Sequence, residues 1–483
     1  MRPRATILGQ TASALATFAV TTFTLAGCAV GPDFHAPAPP QARAYGPAPT
    51  AAGQTLTPGA AVPADWWRGF GSAELDAMVE EALKANPDLK SADAALRQAH
   101  ELLAAQRGAL LPGVDASYQA QRARTSNALS PVLAEPQSPL YSLHTAQVEV
   151  SYGLDVFGGA RRAVEQAAAQ AEAQRFQYEA ARQALIANVV AAAVQDAALR
   201  RQLDAARAQA SALRDILGFT RRQAELGALG QADLAAAETT LAQAEQAVPP
   251  LVKALGQQRT ALQVLLGREA GGTAPVEVDL DRLTLPKALP LTLPAALVRQ
   301  RPDIRAAEAN VHAASAAVGV AVAARLPNIT LSAVGGGASP DLQSLFSSGN
   351  AFWTLSAGIT QPIFEGGTLK HRQKAAEAAL DQAKAQYRST VLNALKNVAD
   401  ALGALQADAD AQGVAVAADE AASRSLAFSR RQLELGQIGQ LAERSAEQAA
   451  AQARSARAAA EAARFADTAA LFQALGAPAA ERP

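Results

Sequence analysis

The chain contains itself twice, and that repeat constrains its fold more than any other feature. Asn86-Pro87-Asp88 through Ser117 aligns without gaps onto Arg301-Pro302-Asp303 through Ser332, at an offset of 215 residues. Pro87 meets Pro302, Asp88 meets Asp303, and Leu111-Pro112 meets Leu326-Pro327. Further on, Phe219 to Gly230 aligns onto Phe428 to Gly439, carrying Arg221, Arg222, Glu225 and Gly227 onto Arg430, Arg431, Glu434 and Gly436. The offset is then 209, and it holds to Leu266-Gly267 against Leu475-Gly476. Helical segments keep register, so the difference belongs to loops between them. Two equivalent halves follow one another, 65–290 and 291–476, with a short tail at 477–483.

Each half carries the same series of elements. Residues 74–110 read as a helix ended by Pro112. Period-two alternation follows: Val114, Ala116, Tyr118 and Ala120 against Asp115, Ser117, Gln119 and Gln121. A Pro/Ser-rich stretch interrupts it, and it resumes with Ala146, Val148, Val150, Tyr152 and Leu154 against Thr145, Gln147, Glu149, Ser151 and Asp155. Two strands with one apolar and one polar face make a hairpin. The second half matches with Ile329, Leu331 and Ala333, then Trp353, Leu355, Ala357 and Ile359 facing Thr354, Ser356, Gly358 and Thr360. Strands near ten residues suit a membrane barrel, although alternation alone also fits a soluble sandwich.

After each hairpin comes a long proline-free stretch, about 160–226 and 369–435, which as helix spans roughly 100 Å at 1.5 Å per residue. Each ends at a Gly-x-x-Gly turn, Gly227–Gly230 or Gly436–Gly439, and returns through a shorter helix, 231–266 or 440–475. Pro249-Pro250 should kink the first return. The expected fold is a mixed α/β membrane protein built of long antiparallel helices and four strands per chain. Four strands cannot close a barrel, and an open edge does not occur in lipid. Three chains would supply twelve strands around one pore.

Alanine dominates after residue 74, which favours long, closely packed helices. Lys and Arg number 43 against 44 Asp and Glu. This near-neutral balance lacks the basic face a nucleic-acid binder needs. Cys28 is the only cysteine, and the five histidines are scattered, so no zinc spacing exists. Gly335-Gly336-Gly337 lacks the Lys-Ser/Thr of a phosphate loop. Neither an enzyme nor a cofactor is expected.

Arg2 and Arg4 precede an apolar stretch from about Ala14 to Gly27, which reads as a signal peptide over 1–27 rather than a membrane span. It ends in Leu25-Ala26-Gly27-Cys28, small residues before a cysteine, the processing pattern of a lipoprotein. Cys28 is the expected lipidation site, and a multi-chain anchor at about 0.8 kcal/mol per buried methylene is firm. Eight prolines follow within 29–64, so 28–64 reads as anchor and extended tether.

By this point the residues resemble a known family. Cys28-Ala29-Val30-Gly31-Pro32-Asp33-Phe34, Trp66-Trp67-Arg68-Gly69-Phe70, Leu154-Asp155-Val156-Phe157-Gly158, Arg301-Pro302-Asp303-Ile304 and Gln361-Pro362-Ile363-Phe364-Glu365-Gly366-Gly367 are similar, in this order, to signatures of TolC-like outer-membrane efflux factors, in their NodT branch of lipoprotein channels. The resemblance implies a homotrimer with a twelve-stranded barrel in the outer membrane of a Gram-negative cell, continued by a helical tunnel in the periplasm. It implies docking to a periplasmic adaptor and an inner-membrane pump, commonly proton-driven, that delivers small toxic molecules. A protein-secretion duct of the same fold is the alternative, and its members usually lack a lipidated cysteine.

The resemblance also assigns candidate sites. Gly227, Gly230, Gly436 and Gly439 would form the periplasmic tip that touches the adaptor; as structure alone, their turns need residues tolerant of positive φ. Asp233 matches the family's aperture acids, with Ala442 and Ser445 standing where an acid is common in the second half, so the ring would be thin. Leu441 could add an apolar constriction. Arg221, Arg222, Glu225, Arg430, Arg431 and Glu434 either pair locally along their helices or bridge to neighbouring helices and hold the tip shut.

Overall fold

The computed structural model describes residues 29–38, 40, 44–45, 53–124 and 140–477. Cys28 and the signal peptide, expected as the lipidation signature, lie outside them. In chain order the elements are β1 (Thr55–Pro58), α1 (Ala73–Ala85), α2 (Pro87–Gly108), β2 (Gly113–Arg124), β3 (Leu140–Leu154) and α3 (Gly159–Glu225). Then come α4 (Gln231–Gln246), α5 (Val248–Leu265), β4 (Ala288–Leu291), α6 (Pro294–Gln300) and α7 (Pro302–Ala323). The chain closes with β5 (Asn328–Ser339), β6 (Ala351–Thr360), α8 (Thr368–Glu434) and α9 (Gln440–Leu475).

The repeat is visible in the elements. Helices α3 and α8 have 67 residues each. The hairpins start at Gly113 and Asn328, 215 apart, and the long helices at Gly159 and Thr368, 209 apart, so the whole difference falls in the hairpins and their exits. Pro249 and Pro250 break the first return at Ala247, whereas the second return runs unbroken as α9.

One reading from the sequence needs correction. The helix expected over 74–110 is two helices. Pro87 cannot donate to the carbonyl a turn earlier, and Asn86 caps the break, its Oδ1 accepting from the N–H groups of Asp88 and Leu89 at 2.9 and 3.0 Å. Two described stretches of the expected tether dock on the rest of the chain. Val30 N–H donates to Phe157 O at 3.0 Å, and β1 pairs in parallel with β4, Thr55 opposite Ala288 and Pro58 opposite Leu291. The compact units do not coincide with the two sequence repeats, 65–290 and 291–476. Among the described residues, one unit draws on 29–37, 97–173 and 308–386 and another on 38–96, 174–307 and 387–477, so each draws on both halves.

The first unit holds an antiparallel sheet ordered β2-β3-β5-β6, in which the central β3–β5 pairing joins the two hairpins. Asp155 starts α3, its carboxylate accepting from the N–H groups of Ala160 and Arg161 at 3.0 and 2.9 Å.

The second unit is packed around aromatic rings. Trp66 stacks on Phe472 at 5.1 Å, and Phe70 meets Phe465 edge-on at 5.8 Å. The Asn86-Pro87 and Arg301-Pro302 signatures do the same job in both halves. The Asn86 amide donates to Leu265 O at 3.0 Å, and the Arg301 guanidinium donates to Ala474 O at 2.7 Å. Leu265 and Ala474 are themselves equivalent at the 209 offset, so each return helix ends by giving a carbonyl to the residue before the repeated proline. That satisfies a C-terminal carbonyl the helix would otherwise leave orphaned.

Candidate functional site

Register sorts the sheet into two chemically opposite faces. Val114 lies opposite Val150, Ala116 opposite Val148, Tyr152 opposite Leu331, Ala333 opposite Leu355 and Ile329 opposite Ile359. Directly opposed residues share a face, so these form one continuous apolar surface. The other face pairs Asp115 with Glu149, Ser117 with Gln147, Ser151 with Ser332 and Ser332 with Ser356. The apolar face is bare: Trp353, Leu355 and Ile359 are 81%, 74% and 72% exposed. A soluble sandwich would cover that face with a second layer; here no second layer packs on it among the described residues. The β2 and β6 edges have no strand partner among the described residues.

The two turns of the second unit share one geometry. Gly227 and Gly436 sit at φ +72° and +69°, past the ends of α3 and α8. Ala228 N–H reaches back to Gln223 O at 2.9 Å, and Gln437 N–H to Gln432 O at 2.8 Å. This is the glycine-ended motif that satisfies a helix's last carbonyls. Gly230 and Gly439 are extended N-caps of α4 and α9, at φ −82° and −86°. Only Gly227 and Gly436 therefore require glycine for their backbone.

The charged residues beside the turns divide in two. Arg221 reaches Glu238 of α4 at 3.3 Å, and Arg430 reaches Glu443 and Glu447 of α9 at 3.4 and 3.6 Å. Both arginines bridge to the returning helix. Arg431 pairs along its own helix with Glu434 at 2.9 Å. Arg222 and Glu225 are exposed on the surface of α3. Asp233 is exposed in the first turn of α4, and its Oδ2 accepts from Gly230 N–H at 3.1 Å. Leu441 is 44% exposed in the first turn of α9, and Ser445 Oγ donates to its carbonyl at 2.9 Å.

Sequence reasoning overlooked the partners. Glu238 and Glu447 are equivalent at the 209 offset, so the bridge from Arg221 or Arg430 to the return helix was written twice in the sequence. Glu443 and Arg444 have no such signal, since Leu234 and Ala235 stand in their places. Glu443 is buried between Arg430 and Arg444. Arg444 crosses to Asp215 of α3 at 3.3 Å, and its guanidinium is held further in the charged form by Glu447.

The sequence pattern of the outer membrane efflux protein family matches the chain twice, over residues 78–268 and 293–477, one match for each half. The chain belongs to this family. It is an outer-membrane channel component of an efflux system, and such channels are not enzymes. Among its relatives is the antibiotic efflux pump outer membrane protein ArpC of Pseudomonas putida, 31% identical over 396 residues, covering 81% of this chain and 80% of the relative. The pyoverdine export outer membrane protein OpmQ of Pseudomonas putida is 31% identical over 346 residues, covering 71% and 72%. The open-state outer membrane channel MtrE of Neisseria gonorrhoeae superposes with a TM-score of 0.78 at 26% identity, covering 93% of this chain and 98% of that one. The family's two matched segments bracket the Gly-x-x-Gly turns and the hairpins alike.

Proposed function

We propose that three copies of this chain close their sheets into one twelve-stranded barrel in the outer membrane and passively conduct small molecules outward. The observation that carries this reading is the open-edged sheet with one bare apolar face and one polar face. Such a sheet is stable in a bilayer only when its edges are paired by further strands, with the polar face turned to water. Four alternating strands per copy leave β2 and β6 running in opposite senses, so copies can continue the antiparallel order indefinitely or close a ring. Cys28, lipidated, would hold the chain at the inner leaflet of the outer membrane. The supporting features are the small residues before it and the docking of Ala29–Phe34 that follows it.

The partners in this reading are a periplasmic adaptor and a proton-driven inner-membrane pump. The Gly227–Gly230 and Gly436–Gly439 turns form the tip that meets the adaptor, and Asp233 with Leu441 narrows the aperture there. The arginine bridges of Arg221 and Arg430 hold the return helices close, with Arg431–Glu434, Arg222 and Glu225 as surface charge. Because the duct is passive, the pump selects the cargo; antibiotics and pyoverdine are what its relatives' names point to.

The test uses the full chain in a strain lacking its own copy. Purified protein should have trimeric mass in detergent and conduct ions in planar bilayers, and its expression should restore resistance to pump substrates. A bulky residue at Gly227 or Gly436 should abolish resistance while trimers persist. Cys28→Ser should lose palmitate labelling. A monomer that never conducts would overturn the channel reading.

A further inference from the structure

The repeat makes a specific demand on the seam between copies, and this inference rests on the oligomeric reading above. Inside the chain, the exit of the first hairpin meets the lead-in to the second. Strand β3 pairs with β5 as far as Leu154 opposite Ile329. Just beyond, Val156 and Phe157 line one crevice with Leu326 and Pro327, and all four are half-buried.

Each member of that junction has a counterpart at an outer edge of the sheet. Leu111-Pro112 is the lead-in to β2, equivalent to Leu326-Pro327, and Leu111 is 68% exposed. Ile363-Phe364 is the exit of β6, equivalent to Val156-Phe157, and these two are 89% and 87% exposed. The same residue types are therefore covered where the chain supplies the other half and bare where it does not. Lipid is a poor occupant for this knob, because Glu365, Lys370, His371 and Arg372 follow it within two helical turns.

The inner junction also carries a strap with no counterpart at the outer one among the described residues. Ala29–Phe34 lies over it: Arg162 holds Asp33 at 2.7 Å, Phe34 stacks on His312 at 4.3 Å, and Gly31 packs on Gly319. A Cβ on Gly319 would come within 2.9 Å of Val30 O, and one on Gly158 within 2.6 Å of Ala29. The counterpart of Gly319 is Ala104, which has that Cβ. Beside Gly367, the counterpart of Gly158, a Cβ would meet only the chain's own His371. The exit from β6 is also longer, running 361–367 where the first hairpin uses 155–158. The outer junction thus lacks the glycine that lets the strap approach closely and has a longer, barer apolar exit.

We propose that Ile363 and Phe364 of one copy seat against the Leu111-Pro112 lead-in of a second copy, so that the seam between copies repeats the β3–β5 junction without its strap. The occupant of the knob's socket is a second copy of this chain, placed there by the pairing of β6 with that copy's β2.

The experiment replaces Phe364 with the photo-reactive benzoylphenylalanine in the full-length protein in outer membranes. Ultraviolet light should give bands of two and three copies, with the adduct mapping to a peptide containing Leu111 and Pro112. Phe364→Ser should shift the detergent-solubilised protein from trimer towards monomer at concentrations where Phe364→Tyr stays trimeric. A trimeric mass by light scattering with adducts only to lipid or within one chain overturns the knob and leaves the trimer intact. A monomeric mass for the unaltered protein overturns the oligomeric reading itself.

Discussion

Along the first arm, α4 is tied to α3 by two exposed pairs, Arg221–Glu238 at 3.3 Å and Arg214–Glu245 at 2.6 Å, and the return helix breaks at Ala247. At the second turn, α9 is tied to α8 through Arg430 to both Glu443 and Glu447, and to α3 through Arg444 to Asp215. Its return helix is unbroken, with Ala458 and Ala459 where the first has Pro249 and Pro250. The two backbones are alike and the ties are not. An exposed ion pair contributes at most about 1 kcal/mol, whereas a network with one buried member resists being opened a pair at a time. The comparison teaches that the repeated residues give both arms one geometry, while residues without a counterpart, Glu443 and Arg444, add a charge network to the second. The first arm should therefore exchange its amides faster than the second.

The largest effect should come from Glu443→Leu, which gives the second arm the residue of the first. It removes the buried acceptor shared by Arg430 and Arg444. Arg430 keeps Glu447 and both arginines can turn to water, so the loss should be about 1–3 kcal/mol. Hydrogen exchange of the amides in 440–447 should speed up to the rate seen in 231–238. Unchanged exchange would mean that these charges do not distinguish the arms.

A second contrast lies further along the same helices. Asp408 of α8 and Asp467 of α9 stand where the first half has Leu199 and Gln258. Burial, reinforced by the Asp467 carboxyl, pushes Asp408 up to about 6 despite the nearby Arg464. Its Oδ2 has no hydrogen-bond partner. Leu199 instead packs with Leu203 and Leu255, and Gln258 donates to Ala192 O at 3.0 Å. A carboxyl group whose value is raised by folding favours the folded state while protonated. Stability should fall as pH rises from about 4 to about 6 and level off above. The double variant Asp408→Leu with Asp467→Gln should therefore raise the melting temperature more at pH 7.5 than at pH 4.5. Equal gains at both would show that packing, not charge, separates the halves here.

How much of this was written in the chain depends on whether a signal repeats. The hairpins, the long helices, the turns and the Pro249-Pro250 break were legible because periodicity and proline act locally and appear in register. The β1–β4 pairing was not, since two four-residue segments more than two hundred residues apart carry no pattern of their own. The break at Asn86-Pro87 was missed although Pro87 announces it; the apolar period continues through the break and masked it. At the turns, the arginines were found and their acceptors were not. Glu238 and Glu447 could have been found from the offset, but Glu443 and Asp215 meet Arg430 and Arg444 only through packing. The apolar surface of the sheet was half legible. Alternation gave two faces, and only the register showed that the apolar faces of all four strands coincide.

The turn glycines should behave alike, which makes them a control for the comparison. Gly227 and Gly436 share a positive φ, and a Cβ at either would meet nothing within 4 Å. Gly227→Ala and Gly436→Ala should each cost about 1–2 kcal/mol through the left-handed backbone alone. Local exchange at the two turns should change by the same factor. A larger loss at Gly436 would show that the charge network around it also depends on the turn's shape.

The smallest effect on stability, and the most informative for conduction, should come from Asp233. Its Oδ2 accepts the Gly230 N–H, so the carboxylate closes the first turn of α4 and lies at the positive end of the helix dipole. Ala442, its counterpart, leaves the N-terminus of α9 without that bond, and Glu443 one residue later is spent on two arginines. Asp233→Asn keeps an acceptor and loses the charge, so it should cost only about 0.3–1 kcal/mol. If the three Asp233 carboxylates of a trimer ring the aperture, the same change should lower cation selectivity at low salt, because a narrow pore concentrates the field of a few like charges. Ala442→Asp should then raise selectivity by adding three carboxylates at the equivalent turns. Reversal potentials in planar bilayers under a salt gradient read both changes. Unaltered potentials in both variants, with the small loss of helix stability still present at Asp233, would confine this residue to capping its helix and place the selective constriction elsewhere.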